Sequence, residues 1–410
     1  MAGFFRQRSC RIWDTYGKMI ARNLKVPAGS FFLFGPRGTG KSTWIRETLP
    51  DALHVDLLRE STYVELIGHA GRLEAMADAR GTRTVVIDEV QKLPQLLDEV
   101  HRLIEGRGFT FGLTGSSARK LRRSGVNLLA GRAQTLSFHP FTATELGDRF
   151  NLEHAIQFGL LPTVVAKGAR EDAWDYLRGY VGTYLREEVQ QEALVRNLGA
   201  FHRFLEAASF SQASPLNIQS VASDCGIARK TAESHFDLLE DLLLAVRLPV
   251  FRRRALRKLA SHPKFFFFDA GVYRALRPRG PLDSDAEIDG AAIETLLFQS
   301  VRAECANLDL EYELSYWRTA DGLEVDLVAY GPLGLHGFEL KRSSRFREAD
   351  LDGLRAFCAD YPEAQGHLLY GGSTSYRFGA IEVVPLGEGL RCLPMWLQGR
   401  ADLGRALTPR

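Results

Sequence analysis

Residues Gly35 to Ser42 read Gly-Pro-Arg-Gly-Thr-Gly-Lys-Ser, with an apolar run, Phe31 to Phe34, before them and a helix-like stretch, Thr43 to Leu49, after them. A glycine-rich loop set between a buried strand and a helix is a phosphate-binding loop. Its glycines let backbone N–H groups approach and cradle phosphate oxygens. The helix that begins there adds the positive end of its dipole. The pattern predicts that Gly35, Pro36, Arg37, Gly38, Thr39, Gly40, Lys41, Ser42 and Thr43 surround the phosphates of ATP. Lys41 would reach the β- and γ-phosphates, and Ser42 would offer its hydroxyl to Mg²⁺.

Apolar runs alternate with helical patterns from Ser30 to Phe141, which predicts an α/β sheet. Further strands are expected at Leu53–Leu57, Thr84–Glu89, Phe109–Thr114 and Gln134–Phe138. The run Thr84 to Ile87 leads straight into Asp88 and Glu89. A buried strand ending at a nucleotide site has this form. Asp88 would hold the Mg²⁺ shell, and Glu89 would polarise the attacking water as general base. The next strand ends in Gly115-Ser116-Ser117. Ser116, then Thr114, is the candidate to face the γ-phosphate, while Ser116 or Ser117 equally suits a helix N-cap. After a basic helix expected over Ala118–Leu129, Arg132 precedes the last strand. At that edge it suits an arginine finger supplied to a neighbour's nucleotide, which implies a head-to-tail homo-oligomer. Arg119 is the competing candidate, and a surface arginine on a turn is the plain alternative.

The 410 residues predict two to four domains. Net charge is only +2, so a nucleic-acid surface has to be a local patch. No run of about 18 apolar residues predicts a membrane span, and Met1 to Lys18 lacks a signal core; a cytoplasmic protein is expected. Cys10, Cys225, Cys305, Cys358 and Cys392 are scattered without metal-ligand spacing and read as reduced, structural thiols.

Thr142 to Asn197 reads as mainly helical, with Trp174, Tyr176, Tyr180 and Tyr184 as packing residues. Ile218–Cys225, Gly226 and Ala228–Leu244 read as helix, turn and helix. Arg229, Lys230 and His235 would project from the second helix, where base and phosphate contacts are made. The strand Val246–Phe251, a loop carrying Arg252, Arg253, Arg254, Arg257 and Lys258, and the buried strand Lys264–Phe268 complete a winged helix. Such a loop suits DNA phosphates; the alternative is a protein-docking module with a solvated charge run. Further on, Ala291–Leu297 reads as an apolar helix carrying Glu294. Tyr312–Trp317, Glu324–Ala329 and Gly337–Lys341 read as strands. Glu339 and Lys341, two apart, share one face.

The chain resembles the AAA+ ATPases, and more closely a family that joins an AAA+ domain to a C-terminal domain of unknown function related to PD-(D/E)xK nucleases. The resemblance rests on Gly35 to Ser42, Val86 to Gln91, Leu113 to Lys120, Ala130 to Arg132, Gly159 to Val165, Lys264 to Gly271 and Phe338 to Lys341. With the residue patterns above, it gives a multidomain α/β architecture: an N-terminal extension (1–25), an AAA+ P-loop core (26–141), a helical lid and connector (142–200), a winged helix (201–270) and a restriction-endonuclease-like α/β domain (271–410). It also implies that Asp326, Glu339 and Glu294 bind Mg²⁺ while Lys341 orients or deprotonates water. The alternative is an inherited scaffold whose polar set is a structural ion-pair network. The expected function is an oligomeric Mg²⁺-dependent ATPase coupled to DNA. The alternatives are an ATP-dependent switch acting on a protein partner and an ATP-regulated metal-dependent nuclease.

Overall fold

A computed structural model of the chain describes residues 11–13, 19–117, 119, 129–185, 189, 197–255, 257–281 and 283–400. Most of the basic helix expected over 118–129 lies outside them, as does Cys10. The chain divides into two compact units. The first comprises Met1–Phe141, Leu161–Ala173 and Leu238–Leu244; the second comprises Thr142–Leu160, Trp174–Asp237 and Ala245–Arg410.

In the first unit β1 (Arg11–Trp13) and β2 (Met19–Ala21) form an antiparallel pair in a segment whose sequence carried no strand signal. Then come β3 (Ser30–Phe34), α1 (Lys41–Thr48), β4 (Leu53–Asp56), α2 (Glu60–Gly68), α3 (Arg72–Arg80), β5 (Thr84–Asp88), α4 (Leu96–Arg107), β6 (Thr110–Gly115) and β7 (Ala133–Ser137). Strands β3 to β7 make a parallel sheet in the order β4-β5-β6-β3-β7. Every residue of β3 is buried, as a strand covered on both faces requires. Its residues alternate between two cores. Phe31 and Leu33 pack with Trp44, Ile45 and Phe138, while Phe32 and Phe34 pack with Val55, Ile87, Val100 and Phe111. Helix α4 supplies Leu96, Leu97, Val100 and Leu103, spaced three and four apart. The first strand of this sheet in chain order, β3, thus lies between β6 and β7. The loop leaving it opens at the carboxyl edge, where such sheets bind ligands.

In the second unit the chain forms α5 (Ala143–Leu146) and α6 (Leu152–Phe158). The first unit contains α7 (Pro162–Lys167), and α8 (Arg170–Gly179) leads back to the second. Trp174 packs edge-on against Phe158, and Tyr180 lies tilted against Phe268, as packing residues should. Next come α9 (Leu198–Ser209), β8 (Ser214–Pro215), α10 (Ile218–Cys225) and α11 (Arg229–Asp241). Asn217 caps α10 by accepting the Ser220 N–H at 3.1 Å, and Gly226 ends it at φ 65°. Strands β9 (Ala245–Leu248) and β10 (Lys264–Phe267) pair antiparallel.

Helices α12 (Ala270–Leu276) and α13 (Asp285–Leu308) precede a six-stranded mixed sheet. It contains β11 (Glu313–Arg318), β12 (Glu324–Gly331), β13 (Gly334–Lys341), β14 (Ala364–Tyr370), β15 (Tyr376–Phe378) and β16 (Ile381–Pro385), in the order β11-β12-β13-β14-β16-β15. Helix α14 (Asp352–Asp360) covers one face through Leu354 and Phe357, and α15 (Leu386–Leu397) closes the described chain. Helix α13 runs well beyond the expected Ala291–Leu297. Its flanks carry too many polar residues to show as an apolar stripe. No helix among the described residues is long and apolar enough to cross a membrane.

Candidate functional site

The phosphate-binding loop leaves β3 at Phe34 and enters α1 at Lys41. Gly38 and Gly40 take φ 81° and 93°, conformations that glycine reaches without strain. Gly35 has no room for a side chain, because a Cβ there would lie 2.2 Å from the Phe138 carbonyl oxygen. Thr39 Oγ1 donates to the Pro36 carbonyl at 2.8 Å. The buried Lys41 ammonium donates to the carbonyls of Gly35 (2.6 Å) and Pro36 (3.0 Å). Concave backbone, a lysine turned over it and a following helix make a donor set that fits polyphosphate. Ser42, in the first turn of α1, and Asp88, at the end of β5, are hard oxygen donors that fit Mg²⁺.

Glu89 leaves β5 at φ 59°, and so ends the strand one residue earlier than expected. Thr114, fully buried on β6, donates to Asp88 Oδ1 and accepts the Glu89 backbone N–H at 3.3 Å. It positions both carboxylate residues. Gln91 Nε2 donates to Glu89 Oε2 and, at 3.1 Å, to Ser116 Oγ. Both candidates for facing the γ-phosphate therefore reach the acidic pair, Thr114 directly and Ser116 through Gln91. Gly115 leaves space for that amide, since a Cβ would stand 2.6 Å from Gln91 Oε1. The motif Val86 to Gln91 contained Gln91, but nothing in the spacing assigned it this role.

Arg22 also escaped sequence reading. It stacks over Phe138 (4.2 Å) and Phe141 (4.8 Å), donating to the carbonyls of Thr39 (3.2 Å) and His139 (2.7 Å). It ties the loop to the chain beyond β7. Arg132 stands at the start of the edge strand β7, half exposed, its Nε donating to Glu105. Arg119 pairs with Asp241 at 3.0 Å.

In the second unit, Arg229 and Lys230 are exposed at the start of α11. His235 is not a surface residue. It is buried edge-on between Phe201 and Phe204, each 5.0 Å away, and burial lowers its pKa. The basic loop is exposed, and two of its five cations, Arg253 and Arg257, pair with carboxylates of the same unit. Phe251 N–H donates to the Tyr316 carbonyl at 2.7 Å, and Ala260 N–H to that of Arg318 at 2.9 Å, which lays the loop along β11. Arg253 binds both oxygens of Glu313 at 2.9 Å. Arg257 binds Asp360 at 3.0 and 2.8 Å. Arg252 donates to the carbonyls of Ala260 and Ser261. Arg254 and Lys258 are exposed.

Glu294 on α13, Asp326 on β12 and Glu339 and Lys341 on β13 do converge. Lys341 Nζ lies 2.8 Å from Glu339 Oε1, and Asp326 Oδ2 accepts the Leu340 N–H at 2.9 Å. Two further residues join them, Glu324 and Lys264. The Lys264 ammonium, 2 % exposed, lies 2.5 Å from Glu324, 3.1 Å from Glu294 and 3.5 Å from Asp326. Burial pushes Glu294 up to about 8 and Glu339 well above the usual carboxylate range. Burial alone would depress Lys264, but its carboxylates outweigh that and hold it above the usual lysine range. Among the described residues no group of three or more His, Cys, Asp or Glu is arranged to hold a metal ion. Glu339 Oε2 is buried without a hydrogen-bond partner, but one spare oxygen is not a ligand set. The Mg²⁺ expected on Glu294, Asp326 and Glu339 does not fit this arrangement, because the Lys264 ammonium holds Glu294 and Asp326 and the Lys341 ammonium holds Glu339.

Comparison with known proteins adds the following. Residues 28–147 match the family model of an AAA domain. Residues 149–283 and 289–388 match two domains of unknown function, DUF8612 and DUF4143. Two uncharacterized proteins, Mb2031c of Mycobacterium bovis and Rv2008c of Mycobacterium tuberculosis, are each 25% identical over 317 residues, 76% of this chain and 70% of theirs. Among solved structures, the Walker-type ATPase paby2304 of Pyrococcus abyssi aligns at a TM-score of 0.44 and 14% identity, over 60% of this chain and 91% of its own. Protein VC1899 from Vibrio cholerae aligns at 0.23 and 11% identity, over 91% and 98%. Neither alignment is close enough to carry an argument. The AAA match and the parallel sheet agree that the first unit contains an AAA-like, ATP-binding domain.

Proposed function

We propose that this chain is a cytoplasmic, Mg²⁺-dependent ATPase that works as a homo-oligomer. The observation that carries the reading is the meeting of the phosphate-binding loop with Asp88 and Glu89 at the carboxyl ends of β3, β6 and β5, three adjacent parallel strands. Mg²⁺, when bound, neutralises charge on the β- and γ-phosphate oxygens. Ser42 and Asp88 hold it. Lys41 gives up its loop carbonyls for the phosphates. Glu89 accepts the proton of the attacking water, its carboxylate aimed by Gln91 and its backbone by Thr114. Arg132 of one protomer reaches the γ-phosphate held by the next.

The test is nucleotide binding and turnover in two variants. Lys41→Ala should lose binding. Glu89→Gln should keep binding and lose roughly 100-fold or more in turnover, the usual scale for removing a general base. Lys41→Ala that binds ATP like the wild type would sink the assignment.

The partner is DNA if α11 carries it, and exposed Arg229 and Lys230 in its first turn support that reading. A protein partner is the second reading. It is favoured by the basic loop, whose Arg253 and Arg257 already hold carboxylates. Stimulation of turnover by duplex DNA, lost in Arg229→Ala/Lys230→Ala, supports the first; DNA-insensitive turnover supports the second.

A further inference from the structure

An ammonium has three N–H donors, and Lys264 meets a carboxylate oxygen with each neighbour that faces it: Glu324 Oε1, Glu294 Oε2 and Asp326 Oδ1. The Tyr316 ring lies 5.4 Å from the same nitrogen. We propose that Lys264 is the resident cation of this cluster, taking up carboxylates a divalent metal would need, so that the C-terminal sheet is a metal-free scaffold and not a metal-dependent nuclease.

The surrounding bonds support this. Asp326 spends its second oxygen on the Leu340 N–H, and Glu324 spends its second on Arg318 at 3.1 Å. Glu339 spends one on Lys341. Mg²⁺ demands oxygens at about 2.0–2.1 Å in near-octahedral array and gives up its water reluctantly. Meeting that demand here would need the carboxylates pulled from their present partners and a buried positive charge removed.

The lysine cannot step aside cheaply. It opens β10, paired with Leu248 of β9, and the next residues, Phe265, Phe266 and Phe267, are buried. Withdrawing the ammonium would leave three carboxylates without their shared cation. The arrangement is also self-enforcing. Taking away one partner of a buried charge group is strongly destabilising, because the others are left uncompensated. A protein without Lys264 should therefore seek another cation.

The test is Mn²⁺ binding to the full chain, followed by electron paramagnetic resonance without nucleotide, so that its outcome is independent of the ATPase reading. Wild type and Glu294→Gln should bind the same number of ions. Lys264→Met should gain one site, and Lys264→Met/Glu294→Gln should lose it again. Wild-type binding that disappears in Glu294→Gln would overturn the proposal, as would a folded Lys264→Met that gains no site. Should Lys264→Met not fold, the comparison of wild type with Glu294→Gln decides alone: equal binding supports the proposal and a lost site refutes it. DNA cleavage with Mn²⁺ by the wild type, abolished in Lys341→Ala, would also overturn it.

Discussion

Glu89, the proposed general base, is a non-glycine residue at φ 59°. Left-handed backbone of this kind costs about 1–3 kcal/mol and persists only where its surroundings enforce it. Thr114 holds its amide and Gln91 its carboxylate. Gln91→Ala removes the second restraint. Turnover should fall roughly 10- to 100-fold with ATP affinity kept, since a misplaced base costs on that scale; steady-state kinetics beside nucleotide titration reads the split, and unchanged kcat would mean the amide has no positioning role. A second residue-scale effect belongs to the buried imidazoles. His336 Nδ1 lies 3.2 Å from His367 Nε2. Burial, with His367 beside it, pushes His336 down to about 3, and burial lowers His367 as well. In the unfolded chain each titrates near 6.5, roughly the ordinary value. Below that pH the unfolded state takes up protons that the folded state refuses. Their contribution is therefore intact above about pH 6.5 and is lost as pH falls toward about 3. His336→Phe should flatten the acid limb by up to about 1.4 kcal/mol per pH unit. Denaturant titrations at about pH 5 and about pH 7 measure the slope; an unchanged slope would show His336 already protonated in the folded protein.

At the scale of elements, two motifs far apart in sequence prove to be one joint. Asp269, fully buried, caps α12 by accepting the N–H groups of Gly271 (2.9 Å) and Val272 (3.1 Å), and accepts that of Leu160 at 2.9 Å. Gly159 takes φ 73°, and a Cβ there would strike the Asp269 carboxylate at 2.0 Å. A Cβ on Gly271 would lie 1.9 Å from the Phe158 carbonyl oxygen. The obstacle is backbone, which cannot swing aside as a side chain can. Gly271→Ala should therefore cost about 1–3 kcal/mol, the range for overpacking, read as a lower denaturation midpoint; a wild-type midpoint would mean that α12 shifts freely. The same reasoning explains why Phe265 to Phe267 read correctly as a buried strand while Lys264 did not disclose its role. An all-apolar run announces burial, but a lysine at its head is ordinary until three carboxylates are brought to it.

At the scale of the whole molecule, Arg132 makes the proposed homo-oligomer testable. It stands at the edge strand of the parallel sheet, paired with Glu105 in water, where ion pairs are weak. Arg132→Ala and Lys41→Ala should each abolish turnover alone, and mixing them should restore part of it, because the Lys41→Ala protomer lends its arginine to an intact loop. No recovery in subunits shown to exchange would remove the trans role. Much of the ATPase unit was legible in the chain itself. The strand–loop–helix of Gly35 to Ser42, the run into Asp88 and Glu89, and most strand positions are local patterns, and local patterns follow from short-range sterics, hydrogen bonding and periodic burial. Gln91, Arg22, the joint at Asp269, the pairing of Arg253 and Arg257 with carboxylates and the ammonium at Glu294 are contacts between residues distant in the sequence. Chain order specifies which groups exist; only folding decides which charges become neighbours, and a buried charge takes its meaning from the partner it is forced to meet.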